Sequence, residues 1–339
     1  MDPVVALREI AFWMERDRAQ THRINAFRRA ADQVAAMSEA ERDQHAAARD
    51  WAQLDGIGRA TATVLIEASA GQVPQRLQDL RTAGAEPLAA GGHRLRAALR
   101  GDLHTHSTWS DGGTPLAQMM ATAQALGHEY CAITDHSPRL KVANGLSAAR
   151  LREQLAVLTD LQQELSPDGS FRILRGIEVD ILDDGALDQD AELLAELDVV
   201  VASVHSKLRM DSESMTHRMV RAIANPRTNV LGHCTGRLVG GERGTRPQSS
   251  FDAEVVFEAC RQFDVAVEIN AKPERQDPPE DLLALALEMG CLFSIDTDAH
   301  AAGQLDFQVL ACERAEAVGV PADRVINTWP LADLLTWCN

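Results

Sequence analysis

Residues 101–113 read GDLHTHSTWSDGG. His104 and His106 follow the apolar Leu103 and are one residue apart, so in an extended segment both imidazoles face the same side. Asp111 comes five residues after His106. Outward from this stretch the pattern recurs wherever a short apolar run ends. Ala132-Ile133-Thr134 leads into Asp135-His136, Gly176-Ile177 into Glu178, and Ala202-Ser203-Val204 into His205. Val230-Leu231-Gly232 leads into His233, and Ile295-Asp296-Thr297 into Asp298-Ala299-His300. Six of the eleven histidines thus close candidate strands. Packing does not account for this, because histidine is not a preferred core residue.

The runs themselves predict strands around Leu103 and over 129–134, 172–181, 198–204, 229–232, 265–269 and 291–297. Helical patterns fall between and after them, at 115–127, 147–165, 190–197, 212–224, 251–263, 280–290, 306–318 and 330–337. Such alternation argues for βα units and a parallel sheet. Seven strands in about 240 residues approach a (β/α) barrel, whose active sites lie where the βα loops converge. The expected fold is therefore α/β, a distorted seven-stranded barrel, preceded by a small all-helical domain. Expected boundaries are a helical domain at 1–75, a linker at 76–100 with Pro and Gly breaks, and the barrel at 101–339.

The formal charge of −17 is unevenly placed. Residues 1–100 carry 14 Arg and no Lys against 13 Asp plus Glu, a net of +1. The remainder carries 16 Arg and 3 Lys against 37 acids, a net of −18. This excludes a wholly basic nucleic-acid coat but not a local contact patch. The six cysteines form no CxxC pair, which fits reduced, buried thiols in a cytoplasmic protein. The first twenty residues lack the basic start and apolar run of a signal peptide, and no 18-residue apolar stretch occurs. No membrane partner is expected, and the chain is expected to be a monomer.

Nine residues form the candidate metal set: His104, His106, Asp111, His136, Glu178, His205, His233, Asp298 and His300. Imidazole and carboxylate mixtures without thiolates suit Zn²⁺, Mn²⁺ or Fe²⁺. GDLHTHSTWSDGG with ITDHS, GIEVDI, ASVHS, GHCTGR, EINA and DTDAH resembles the PHP (polymerase and histidinol phosphatase) family over residues 101–300. The likeness is greatest to the PHP domain attached to bacterial family X DNA polymerases. It implies a distorted seven-stranded barrel and three divalent metal ions, usually zinc or manganese. One would be held by His104, His106, Glu178 and Asp298. Glu178 would bridge to a second, bound also by His205 and His233. Asp111, His136 and His300 would hold a third. Divalent cations so grouped clamp a phosphate and lower the pKa of water. One departure is Cys234, where the family usually has proline; strand geometry turns it to the opposite face from His233.

All three lysines, Lys141, Lys207 and Lys272, fall in or near these motifs. They are read either as point charges toward phosphate or as ordinary solvated loop lysines. Arg237 and Arg275 are candidates for a bidentate phosphate grip, and Asn270 for holding a substrate or a ligand side chain. Asp135 and Asp296, adjoining ligands, are expected to orient imidazoles. Asp180, Asp183, Asp184, Asp188 and Asp190 read as a solvated acidic loop.

Near the start, THRINAFRRAADQ and LDGIGRATA resemble the N-terminal domain and helix-hairpin-helix of family X polymerases. Gly56 and Gly58 would permit the tight turn. Arg23, Arg28, Arg29 and Arg59, with N–H groups at the next helix, would meet backbone phosphates. The rival reading is a docking domain. About 30 residues separate Gly71 from Gly101, too few for a polymerase palm and fingers. The expected activity is metal-dependent phosphoester hydrolysis, as a 3′→5′ exonuclease on single-stranded or gapped DNA ends. The alternatives are a phosphatase acting on a phosphorylated small molecule, and a DNA-binding scaffold with a relict metal site.

Overall fold

Seven short runs become seven parallel strands in sequence order: β1 (Gly101–Asp102), β2 (Tyr130–Ile133), β3 (Arg172–Asp180), β4 (Val199–Ser203), β5 (Val230–Leu231), β6 (Ala266–Asn270) and β7 (Phe293–Asp296). The computed structural model describes residues 1–241 and 244–339. Two-residue periodicity explains the layers. In β4, Val199 and Val201 join one apolar cluster with Leu103, Tyr130, Val230 and Ala266, whereas Val200 and Ala202 join the cluster that includes helix residues. Continuing the first face, Glu178 on β3, Ser203 on β4, and Glu268 and Asn270 on β6 are all buried. The barrel interior is thus apolar at the N-terminal ends of the strands and polar at the C-terminal ends.

Helices α7 (Leu116–Ala125), α8 (Ala148–Leu165), α9 (Ala191–Leu194), α10 (Ser212–Ile223), α11 (Ala253–Gln262), α12 (Glu280–Glu288), α13 (Gln308–Val318) and α14 (Leu331–Cys338) occupy the expected intervals. Several begin at a side-chain cap. Ser147, Asp211 and Asp252 accept from the backbone N–H of Arg150, Ser214 and Val255, each worth about 1 kcal/mol.

The seam between β1 and β7 is not a continuous ladder. A single parallel bridge joins Thr105 to Ala299, and the His106 N–H donates to the Ala299 carbonyl at 2.8 Å. Below it, the Asn327 side chain substitutes for strand pairing. Its Oδ1 accepts from the Ile295 N–H at 2.7 Å, and its Nδ2 donates to the carbonyls of Gly101 at 3.3 Å and Ile295 at 3.1 Å.

The chain divides into residues Met1–Pro87 and Leu88–Asn339. In the first unit, α1 (Pro3–Arg16), α2 (Thr21–Ala35), α3 (Glu39–Ala48), α4 (Arg59–Ser69) and α5 (Gln75–Gly84) enclose Leu7, Ile10, Phe27, Trp51 and Leu65. Where the helix-hairpin-helix likeness implies a helix just before the Gly-Ile-Gly turn, the structure has a single 3₁₀ turn, Trp51–Gln53, because α3 has already ended in a left-handed Arg49. The stretch expected as a linker, 76–100, is divided. Gly84 lies so close to the Trp13 ring that a Cβ there would stand 2.3 Å from it, which places α5 in the first unit. Helix α6 (His93–Ala98) belongs to the second: the Leu95 N–H donates to Glu316 on α13 at 2.7 Å. Burial of Leu77 and Leu95 turns what reads as spacer into packed helix. Among the described residues, no helix is long and apolar enough to cross a membrane.

His128, between α7 and β2, is 4% exposed, with its Nε2 3.4 Å from Arg96. Burial, reinforced by the Arg96 charge, pushes its pKa down to about 3. The folded protein therefore keeps it neutral while the unfolded chain takes up a proton below about pH 6.5. Stability contributed by the neutral form is complete above that pH and lost as pH falls toward the folded value. Between pH 6.5 and 5 the loss is about 2 kcal/mol. The difference in melting temperature between pH 7 and pH 5 should be smaller in His128→Gln than in the parent; an equal difference would remove His128 as the cause.

Candidate metal centre

Glu178, on β3 and buried, is the hub. Its Oε2 lies 2.8 Å from His136 Nδ1, 3.4 Å from His104 Nε2 and 3.5 Å from His106 Nε2. Its Oε1 lies 2.9 Å from His233 Nε2 and 3.2 Å from His205 Nε2. Five imidazoles, two from the loop after β1 and one each from beyond β2, β4 and β5, thus face one carboxylate. Asp298, on the β7 loop with φ 52°, places Oδ1 3.4 Å from both His106 Nε2 and His300 Nδ1. Asp111 Oδ1 is 3.4 Å from the Nε2 atoms of His136 and His300. Its side chain is 37% exposed, against 1% or less for Glu178 and Asp298, so the cluster opens to solvent on that side.

Three sets bring ligand atoms within 4.8 Å of one another: His106, Asp111, His136 and His300; His104, His106 and Glu178; His136, Glu178 and His205. His233 and Asp298 border these sets through Glu178 and His106. All nine residues named from the sequence are therefore gathered. The grouping differs in that His106 stands with Asp111 and His300 as well as with His104, and His136 also faces Glu178. Cys234 is buried with its Sγ 3.9 Å from Asp277, away from the cluster.

The donor set fits divalent cations. Among the described residues, His104 Nε2, His106 Nδ1 and Nε2, His136 Nδ1, His205 Nε2 and Glu178 Oε2 are buried and find no hydrogen-bond partner, although carboxylate oxygens stand within ion-pair distance of several of them. Uncompensated burial of so many polar atoms is costly; a shared cation between lone pairs removes that cost. Burial raises the Glu178 pKa, but His205, His136 and His104 together hold it well below the usual range. Burial, then His300 and His136, hold His106 neutral, the form that ligates.

Around this lies a supporting layer. Glu268 Oε1 is 2.6 Å from His104 Nδ1, and its Oε2 accepts from the His233 N–H at 2.5 Å. Asp180 Oδ1 is 2.9 Å from His205 Nδ1. Such partners fix the ring and its tautomer. The sequence reading missed Glu268 and misread Asp180, which is 2% exposed and not part of a solvated loop. Strand period carried the signal, since Asp180 is two residues from Glu178, and Glu268 two from Asn270, on the same face. Asp183, Asp184 and Asp188 do pair at the loop, with Lys207, Arg221 and Ser137 respectively.

Other expectations change. Asp135 orients no imidazole; it accepts from Ser107, Ser110 and Gln154 and braces the Asp111 loop. Asp296 accepts from the Leu103 N–H and Asn327, locking the seam. Arg237 spends its guanidinium on the carbonyls of Arg275 and Gln276, so it is not a free phosphate grip. Arg275 is 6% exposed, with Nε 2.9 Å from Asp298 Oδ2. Asn270 Nδ2 donates to the same oxygen at 3.3 Å. Lys207 is an exposed rim residue paired to Asp183 at 2.7 Å. Lys272 enters the cluster, its Nζ 3.1 Å from His300 Nδ1 and 3.5 Å from Asp298 Oδ1. Burial would raise the Asp298 pKa, yet Lys272 and Arg275 hold it well below its ordinary value.

Comparison with known proteins agrees with this architecture. Residues 102–272 match the PHP domain, and residues 2–72 a helix-hairpin-helix domain. The chain is 39% identical over 236 residues to the DNA polymerase/3′-5′ exonuclease PolX of Bacillus subtilis, covering 70% of this chain but only 40% of that protein. It is 28% identical over 247 residues to a probable phosphatase of Shewanella oneidensis, covering 69% of this chain and 90% of that one. A histidinol phosphate phosphatase structure from Lactococcus lactis superposes with a TM-score of 0.45 at 20% identity, over 65% of this chain and 94% of that one. The chain belongs to the PHP family and is a metal-dependent hydrolase of phosphate esters.

Proposed function

We propose that the protein is a 3′→5′ exonuclease acting on single-stranded or gapped DNA ends. Hydrolysis itself is carried by one observation, the five imidazoles converging on Glu178 beside an opening at Asp111. The nine candidate ligands would hold up to three zinc or manganese ions, which supply Lewis acidity toward the phosphoryl oxygens and toward water. The protein's own groups prepare that chemistry. Glu268 and Asp180 hold His104 and His205 in place, Arg275 and Asn270 fix Asp298, and Lys272 keeps a cation beside the point where a phosphate would arrive.

The helical unit supports a nucleic-acid substrate. Gly56 turns at φ 78°, and Gly58 starts α4 with no side-chain cap, leaving first-turn N–H groups for a phosphate. Arg23, Arg29 and Arg59 are exposed, whereas Arg28 is tied to Glu15 at 2.5 Å and withdrawn from that role. A small-molecule phosphatase remains the second reading, favoured by the phosphatase likeness that extends over 90% of the relative's length.

The Mn²⁺-loaded protein, given end-labelled single-stranded DNA, gapped duplex and histidinol phosphate, should yield a ladder shortening from the 3′ end. Phosphate released from histidinol phosphate with the DNA left intact overturns the reading. Arg29→Ser/Arg59→Ser should weaken DNA binding about five- to tenfold and lower its salt slope by roughly one to two. Unchanged affinity would remove the hairpin from the substrate path.

A further inference from the structure

Between Ser137 and Leu146 the chain leaves the metal centre and returns. The Leu146 N–H donates to the His136 carbonyl at 2.7 Å, so the loop closes on a candidate ligand residue. Its neck is tight: a Cβ on Gly145 would stand 1.8 Å from the Ser137 carbonyl oxygen. Asp188 Oδ2 accepts from Ser137 Oγ at 2.9 Å and from the Arg139 N–H at 2.5 Å. The far side is stapled to the Asp111 loop, where the Trp109 carbonyl accepts from Asn144 Nδ2 at 3.2 Å and Arg150 at 2.5 Å. The segment is therefore a fixed projection beside the open flank of the centre.

Its tip is unlike the rest of the rim. Lys207, Lys272, Arg237 and Arg275 all have partners. Arg139 and Lys141 are exposed, and among the described residues neither side chain makes an ion pair or hydrogen bond. Between Lys141 and the buried Ala143 stands Val142, 95% exposed, well above every other large apolar residue exposed in the structure. Folding gives no reason to present an aliphatic side chain directly after two exposed cations at this place.

We propose that this arm, with half-buried Trp109 at its foot, is a docking strip for single-stranded nucleic acid. Arg139 and Lys141 take backbone phosphates next to the scissile one, and Val142 and Trp109 meet base faces. The inference rests on the exonuclease reading and adds to it a source of selectivity. A compact phosphomonoester has no second phosphate to reach the arm, whereas a polynucleotide does.

The test uses the full chain and the variant Arg139→Ser/Lys141→Ser/Val142→Ser. Anisotropy of a short labelled oligodeoxythymidylate should report about tenfold weaker binding. The slope of log Kd against log salt should fall by about 1.4, the value for two phosphate contacts on a single strand. The ratio of oligonucleotide to bis(p-nitrophenyl) phosphate turnover should fall about tenfold. Arg139→Lys/Lys141→Arg, which keeps both charges, should restore most of the binding. An unchanged salt slope and turnover ratio overturn the proposal, as does an equal loss on both substrates, which would make the arm a brace for the centre. Loss of binding to anionic vesicles with oligonucleotide binding intact also overturns it, in favour of a lipid surface. If the parent binds oligonucleotide through the arm but cleaves none, the exonuclease reading fails and the docking strip stands.

Discussion

Glu178→Gln should leave a folded barrel that no longer retains divalent metal. The substitution keeps side-chain volume but removes the one charge that five imidazoles face. Lys272 and Arg275 stay, so the balance at the centre shifts toward positive and repels cations. Affinity for the most tightly held Mn²⁺ or Zn²⁺, read by calorimetry, should fall by on the order of 100-fold or more. Phosphodiester turnover at fixed metal should fall by on the order of 1,000-fold. Unaltered far-ultraviolet dichroism would show that the fold survives. A variant that keeps parental metal affinity would refute Glu178 as the hub.

Glu268→Leu should act one layer further out and in two measurable ways. The carboxylate is fully buried and serves His104 Nδ1, the His233 N–H and Asn270 Nδ2 together. Leucine leaves His104 Nδ1 and the His233 N–H without a partner and Asn270 Nδ2 with Asp298 alone, costing about 3 kcal/mol in unfolding free energy. It also frees the His104 ring, which should weaken metal binding by roughly 10- to 100-fold. Glu268→Gln, which retains an acceptor, should recover most of the stability but only part of the metal affinity. Equal recovery of both would reduce Glu268 to a packing residue with no orienting role.

Much of this was legible because a parallel barrel writes its site in a regular place. Apolar runs end where the chain leaves the sheet, so His104, His136, His205, His233 and Asp298 could be read from position alone, and Glu178 from the end of the Gly176-Ile177 run within β3. The supporting residues were harder. Asp180 and Glu268 lie inside strands, and burial against an imidazole leaves no mark on composition; only the two-residue spacing from Glu178 and Asn270 betrays them. Phosphate grips were harder still, because an arginine's task depends on which carbonyl or carboxylate folding brings beside it. Arg237 reaches carbonyls near residue 275, and Arg275 reaches Asp298. The boundary at Pro87 was hidden for a similar reason, since nothing local to Gly84 announces that Trp13 will pack on it.

The stitch made by Asn327 across the β1–β7 seam sets an order of events for the newly made protein. His104 and His106 follow the first strand, Asp298 and His300 follow the last, and the residue that binds those two edges comes nearly thirty positions later still. A ribosome that has made every candidate ligand has not yet made the fastening that holds them in register. A cation met before Asn327 is in place therefore finds candidate ligands on two edges that this stitch has not yet joined.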